Sequence, residues 1–142
     1  CDVGVESTIL APSEAGTRLL RDGGLPRGAL EAIAGPLAVD VTPGRIEAPG
    51  QMERHYAPRV KVRLGGVAEP GEVVIGFGAG AGDLSLSETG DAAEAARRLF
   101  DVLHRAEALA LARGAEAIRA PILPDRGLGR AVNDRLRRAA AG

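Results

Sequence analysis

The first 35 residues alternate hydrophobic and polar positions in a way that predicts two strands and one short helix. Val3, Val5, Ser7 and Ile9 share one face of a strand over residues 3–10, because side chains of an extended chain alternate. The further elements are a turn over 12–16, a strand over 17–21 that ends at Asp22-Gly23-Gly24, and a helix over 26–34 between Pro26 and Gly35. Two strands and one helix are too few to fold alone. The segment is therefore predicted to complete a domain that lies upstream, an expectation that the start at Cys1 rather than Met supports.

Residues 36–59 break this pattern. Its prolines and glycines prevent the segment from forming a long helix or a central strand. They are Pro36, Pro43, Pro49 and Pro58 with Gly44 and Gly50. We expect an extended linker that lies across a surface.

From residue 60 onward, strands alternate with helices, which predicts a small α/β domain with a mostly parallel sheet. The longest helix is predicted over 91–113, where alanine, leucine and valine recur at three- and four-residue steps. The other elements are strands over 60–64, 72–77, 83–87 and 117–122 and a closing helix over 128–140. The predicted class is α/β, divided into a domain tail (1–35), a linker (36–59) and a complete small domain (60–142).

Composition narrows the functional classes. The 142 residues carry a formal net charge of −1, whereas a dedicated nucleic-acid binder needs a basic excess. With one Tyr, two Phe and no Trp, base stacking is almost excluded. No apolar stretch is long enough for a membrane span, no signal peptide begins the chain, and the single Cys fits a reducing cytoplasm.

Four residues are candidates for ligand contact. Ser7 is either satisfied by local backbone or presents a hydroxyl to a small polar substrate. Arg21, before the Asp22-Gly23-Gly24 turn, is either solvated or bound to phosphate oxygens. His55 and the only tyrosine, Tyr56, are either surface residues of the linker or close over a ligand.

Two glycine motifs and an arginine-rich end have structural and functional interpretations. Residues 76–81 match the letters of a dinucleotide-binding fingerprint. In such a site a helix begins directly after the glycines, whereas here the next helix is predicted to begin near Asp91. This favours a simple glycine-rich connection. Gly127-Leu128-Gly129 is either an anion-binding turn or a tight strand-to-helix turn. The arginines from Arg119 to Arg138 are expected to form a solvated helix face, with RNA binding as the alternative. No catalytic triad, metal-ligand cluster or Walker loop can be assembled.

Four segments in order along the chain resemble the two-domain form of the L-threonylcarbamoyladenylate synthase family, which has a YrdC-like catalytic domain and an accessory Rossmann-like domain. They are residues 4–10, 19–24, 49–52 with 55–58, and 127–129 with 133–136. This family makes threonylcarbamoyl-AMP and pyrophosphate from L-threonine, bicarbonate and ATP with Mg²⁺. A partner machinery then transfers the group to tRNA.

The resemblance implies roles for the four candidates. Ser7 would contact L-threonine, Arg21 would contact ATP, and His55 and Tyr56 would cover the nucleotide. The family's upstream basic Lys-x-Arg element and its Ser-x-Asn element, which hold much of the ATP and magnesium, are absent from this sequence. We therefore expect these 142 residues alone to be inactive and to bind neither ATP nor magnesium tightly. The alternative is a stand-alone regulatory module that binds a nucleotide or a protein without catalysis.

Overall fold

Two separate β-sheets organise the chain in the computed structural model, which describes residues 7–39, 58–80 and 82–141. The first sheet has three strands in the order β1-β2-β3 and belongs to residues 7–39, the N-terminal unit. The second has four strands and belongs to residues 58–80 and 82–141, the C-terminal unit.

The N-terminal unit is an antiparallel hairpin with a third strand added in parallel. Its elements are β1 (Ile9–Ser13), β2 (Gly16–Arg21), α1 (Arg27–Ala34) and β3 (Leu37–Val39). The helix is confirmed, with Pro26 before it and Gly35 at a φ of 76° after it. Gly35 adopts this positive φ without the steric cost that a side chain would add.

Two predictions about the N-terminal unit were wrong. Strand β1 includes Pro12 and Ser13, which were assigned to the turn. Proline is tolerated there because β1 lies at the edge of the sheet that the described residues form. Strand β3 was missed because it is only three residues long and stands in the proline-rich stretch. It forms by pairing with β2 and burying Leu37.

The C-terminal unit is an α/β fold around an entirely parallel sheet in the order β4-β7-β5-β6. This confirms the predicted α/β class. Its strands are β4 (Lys61–Leu64), β5 (Val73–Gly76), β6 (Leu84–Ser85) and β7 (Ala117–Ala120). Its helices are α2 (Ala92–Arg113) and α3 (Leu128–Ala141). All four residues of β7 are buried, because this strand lies between β4 and β5.

Helix α2 supplies much of the hydrophobic core. The predicted apolar stripe is largely confirmed, with Leu99, Val102 and Leu103 fully buried against the sheet and α3. The helix begins where the Asp91 carboxylate accepts hydrogen bonds from the amides of Ala93 and Glu94. It ends at Gly114, which adopts a left-handed conformation. No helix in the described ranges is long and apolar enough to cross a membrane.

Candidate functional site

The structure brings two predicted site residues together at one end of the β1–β2 hairpin. Arg21 is the last residue of β2, is only 9% exposed, and donates a hydrogen bond from Nε to the Ser7 carbonyl oxygen at 3.0 Å. Ser7 was expected within a strand, but it precedes β1 and its side chain is exposed. Arg21 therefore stands at the end of β2, and Ser7 lies on the segment that leads into the hairpin.

The loop after Arg21 is partly enclosed. Asp22 is half-buried and Gly23 is buried. Burial raises the pKa of the Asp22 carboxyl, while the charges of Arg130, Arg27 and Arg135 oppose that rise. A cleft of about 150 Å³ opens beside this loop, between residues 22–28 and the start of α3 at residues 126–130.

Arg27, on the N-terminal side of this cleft, makes two hydrogen bonds within its own unit. Its Nε donates to Glu31 Oε1 at 2.8 Å, and its Nη2 donates to the Leu37 carbonyl. The hydrogen bond from Arg27 lowers the pKa of Glu31, and the amide of Leu37 contributes to the same effect. These contacts join α1 to β3 and fix the residues that follow the Asp22-Gly23-Gly24 loop.

His55 and Tyr56 lie outside the described residues. Their predicted role in covering a nucleotide stays a prediction. Among the residues that the structure does describe, no three histidine, cysteine, aspartate or glutamate side chains are close enough together to hold a metal ion.

The glycine-rich loop after β5 does not meet the requirement of a dinucleotide site. It leads to strand β6, which pairs in parallel with β5, and α2 begins only at Ala92. The amides of Ala93 and Glu94 at the start of α2 already donate to the Asp91 carboxylate. They are therefore not available to bind a pyrophosphate. Gly82, at a φ of +118°, has no room for a Cβ atom, which would lie 2.6 Å from the Val74 carbonyl oxygen. This geometry favours the interpretation as a connection.

Gly127-Leu128-Gly129 forms the tight turn into α3. A Cβ on Gly129 would overlap the Pro124 carbonyl oxygen, so this glycine allows α3 to approach the chain after β7. Asn133, which sequence reasoning missed as a structural residue, completes the junction. Its Oδ1 accepts the Leu123 amide at 2.9 Å, and its Nδ2 donates to the Leu123 carbonyl at 2.8 Å. The only sequence signal was an asparagine on the apolar side of the helical pattern.

The arginine-rich end is not a fully solvated face, which corrects the prediction. Arg135 is 5% exposed and forms an ion pair with Asp134 at 2.6 Å. Arg119 on β7 is also buried and pairs with Glu72 at 3.2 Å. The Glu69 amide, followed by Arg119 and Arg63, lowers the pKa of Glu72. At least two of these arginines therefore stabilise the fold instead of forming an RNA-binding surface.

The fold and site define a class of protein: an α/β unit with a parallel sheet, preceded by a hairpin that carries a buried arginine at its end. The chain belongs to the family described as threonylcarbamoyl-AMP synthase, C-terminal domain, whose profile matches residues 26–141.

Relatives of known structure agree with this assignment. The chain is 34% identical over 161 aligned positions to the threonylcarbamoyl-AMP synthase of Pyrococcus abyssi (strain GE5 / Orsay), an alignment that covers 97% of this chain and 46% of that protein. The crystal structure of P. abyssi Sua5 complexed with L-threonine superposes with a TM-score of 0.77 at 31% identity, over 99% of this chain and 47% of that one. A P. abyssi Sua5 variant with an adjacent histidine and tyrosine replaced by alanine gives the same TM-score at 28% identity, over 99% of this chain and 46% of that one. The chain thus spans about half the length of these relatives.

Proposed function

We propose that this chain is part of an enzyme that forms threonylcarbamoyl-AMP and pyrophosphate from L-threonine, bicarbonate and ATP. The product would serve tRNA threonylcarbamoyladenosine modification in the cytoplasm, through a separate transferase machinery. The observation that carries the proposal is the family match over residues 26–141. The L-threonine complex of the P. abyssi relative supports the amino acid substrate.

In this reaction the amine of L-threonine and bicarbonate would form a carbamate with loss of water, and a carbamate oxygen would attack the α-phosphorus of ATP as the bond to pyrophosphate breaks. Such a step needs positioning and neutralisation of phosphate charge more than an acid–base pair. Arg21 would supply positive charge to ATP, since its buried guanidinium is oriented by the bond to the Ser7 carbonyl. Ser7 would contact L-threonine beside it.

His55 and Tyr56 would cover the bound nucleotide and exclude water, which would hydrolyse the mixed anhydride product. The P. abyssi variant supports a role for this pair, because the two residues replaced by alanine in it are an adjacent histidine and tyrosine. His55-Tyr56 is the one such pair in this sequence.

Magnesium would arrive bound to ATP. The described ranges contain no cluster of three or more histidine, cysteine, aspartate or glutamate side chains that could hold the ion. Activity would require the family elements that this sequence does not contain, so the isolated chain would be inactive.

The proposal is tested by kinetics of the full gene product that contains this chain. Arg21→Ala should raise the KM for ATP, and Ser7→Ala should raise the KM for L-threonine. Loss of a charge-assisted hydrogen bond costs about 1.5–3 kcal/mol, so about a 10- to 100-fold loss of kcat/KM is expected for Arg21→Ala.

The matched controls are Arg137→Ala and Ser13→Ala, both of exposed residues. Wild-type kinetics in Arg21→Ala and in Ser7→Ala would contradict the proposal. Nucleotide binding without turnover, in a gene product that carries all the family elements, would favour the regulatory module instead.

A further inference from the structure

The cleft beside the Arg21 loop is lined by both units of the chain. Residues 22–28 of the N-terminal unit form one wall, and Arg126, Gly127 and Arg130 form the other. Asp22 and Arg130 therefore lie on opposite walls of the same cleft.

Arg130 is the cation best placed to act across the cleft. Its Nη2 donates a hydrogen bond to the Asp125 carbonyl at 3.3 Å, and its Nε lies 3.9 Å from Oδ1 of the Asp125 carboxylate. Its charge opposes the rise that burial causes in the pKa of Asp22, and it contributes least among the causes that lower the pKa of Glu31. The other charges at Asp22 come from Arg27 on its own side and from Asp134 and Arg135 on α3.

The first turn of α3 is itself rigidly placed. Gly129 packs against the Pro124 carbonyl, and Asn133 binds both backbone groups of Leu123. A guanidinium on such a support has a defined position, which is what a positioning residue requires.

We propose that Arg130 is a positioning residue for Arg21, acting across the cleft on Asp22 to fix the loop that follows the nucleotide-binding arginine. The inference rests on the proposed function, since it assigns to the C-terminal unit a part in ATP binding. Arg130 offsets part of the cost of the half-buried Asp22 carboxylate, so its removal lets the loop move toward solvent.

The first experiment uses the full gene product, because the N-terminal unit is not expected to fold alone. Carbon-detected NMR titration follows the Asp22 carboxyl in the wild type, in Arg130→Ala and in the control Arg137→Ala, whose residue is exposed on the same helix. Arg130→Ala should raise the pKa of Asp22, because an opposing positive charge is lost, and Arg137→Ala should leave it unchanged. An Asp22 pKa that does not move in Arg130→Ala overturns the inference.

The second experiment uses the full gene product and measures the KM for ATP and for L-threonine separately. Arg130→Ala should raise the KM for ATP about three- to tenfold, the range that a modest charge interaction provides. The KM for L-threonine, kcat and the melting temperature should remain near wild type. Arg130→Lys, which keeps the charge, should restore the KM for ATP, whereas Arg130→Gln should not.

An unchanged KM for ATP in both Arg130→Ala and Arg130→Gln overturns the inference. Equal losses in every parameter together with a lower melting temperature also overturn it, because they indicate a purely structural role. A wild-type gene product that makes no threonylcarbamoyl-AMP instead overturns the proposed function, and the Asp22 titration still decides whether Arg130 acts across the cleft.

Discussion

Replacing Asn133 by alanine tests how α3 is attached to the sheet. Asn133 is 3% exposed and satisfies both the N–H and the C=O group of Leu123, at 2.9 and 2.8 Å. Each buried group left without a partner costs about 1–3 kcal/mol. Two groups, partly relieved by relaxation, give an expected loss of about 2–4 kcal/mol in the free energy of unfolding.

The loss is measured by urea unfolding followed by circular dichroism, where it should lower the midpoint by about 1–2 M for a typical slope of about 2 kcal/mol/M. Arg137→Ala, at an exposed position on the same helix, should change the stability by less than about 0.5 kcal/mol. Asn133→Asp should be strongly destabilising at neutral pH and recover in acid, since only the protonated carboxyl can donate to the Leu123 carbonyl. An Asn133→Ala protein within about 0.5 kcal/mol of wild type would refute the reasoning.

Four further substitutions test the fold. Gly129→Ala forces a methyl group onto the Pro124 carbonyl and should cost about 1–3 kcal/mol, whereas Gly28→Ala, in open space within α1, should stabilise by about 0.5–1 kcal/mol in the same urea assay. Leu103→Ala should cost about 2–5 kcal/mol by calorimetry, because this side chain is fully buried in the core. The Ser87 hydroxyl and then Arg98 lower the pKa of Glu94 from its ordinary 4.5, so the stability that this carboxylate contributes is present above pH 4.5 and is lost as the pH falls through the lowered value. Glu94→Gln should lose less stability than wild type between neutral and acid pH, and parallel acid profiles would show that Glu94 contributes nothing.

The long periodic elements could be predicted from the sequence. Helix α2 was expected over 91–113 and is found at Ala92–Arg113, because its apolar stripe is long enough to specify both period and face. The closing helix and the parallel sheet follow in the same way. Strand β3 was not predictable, since its three residues are held by pairing with β2 and not by a local pattern.

The candidate site was predicted only in part. Arg21 and Ser7 were candidates from their place in the sequence pattern, the resemblance assigned their roles, and the structure adds the hydrogen bond from Arg21 to the Ser7 carbonyl. Arg130 had no signal of its own, because a solvated arginine and one that faces a carboxylate across a cleft look identical in a sequence. The role of Asn133 likewise depends on the backbone of Leu123, ten positions away, and becomes visible only once α3 is packed.

The central claim is that this chain belongs to an enzyme that makes threonylcarbamoyl-AMP. Its most direct test incubates the full gene product with ATP, L-threonine and ¹³C-labelled bicarbonate and analyses the products by mass spectrometry. We expect a threonylcarbamoyl-AMP species that carries the label, equimolar pyrophosphate, and loss of both when any one substrate is left out. Hydrolysis of ATP without labelled product, or no dependence on L-threonine, would contradict the assignment.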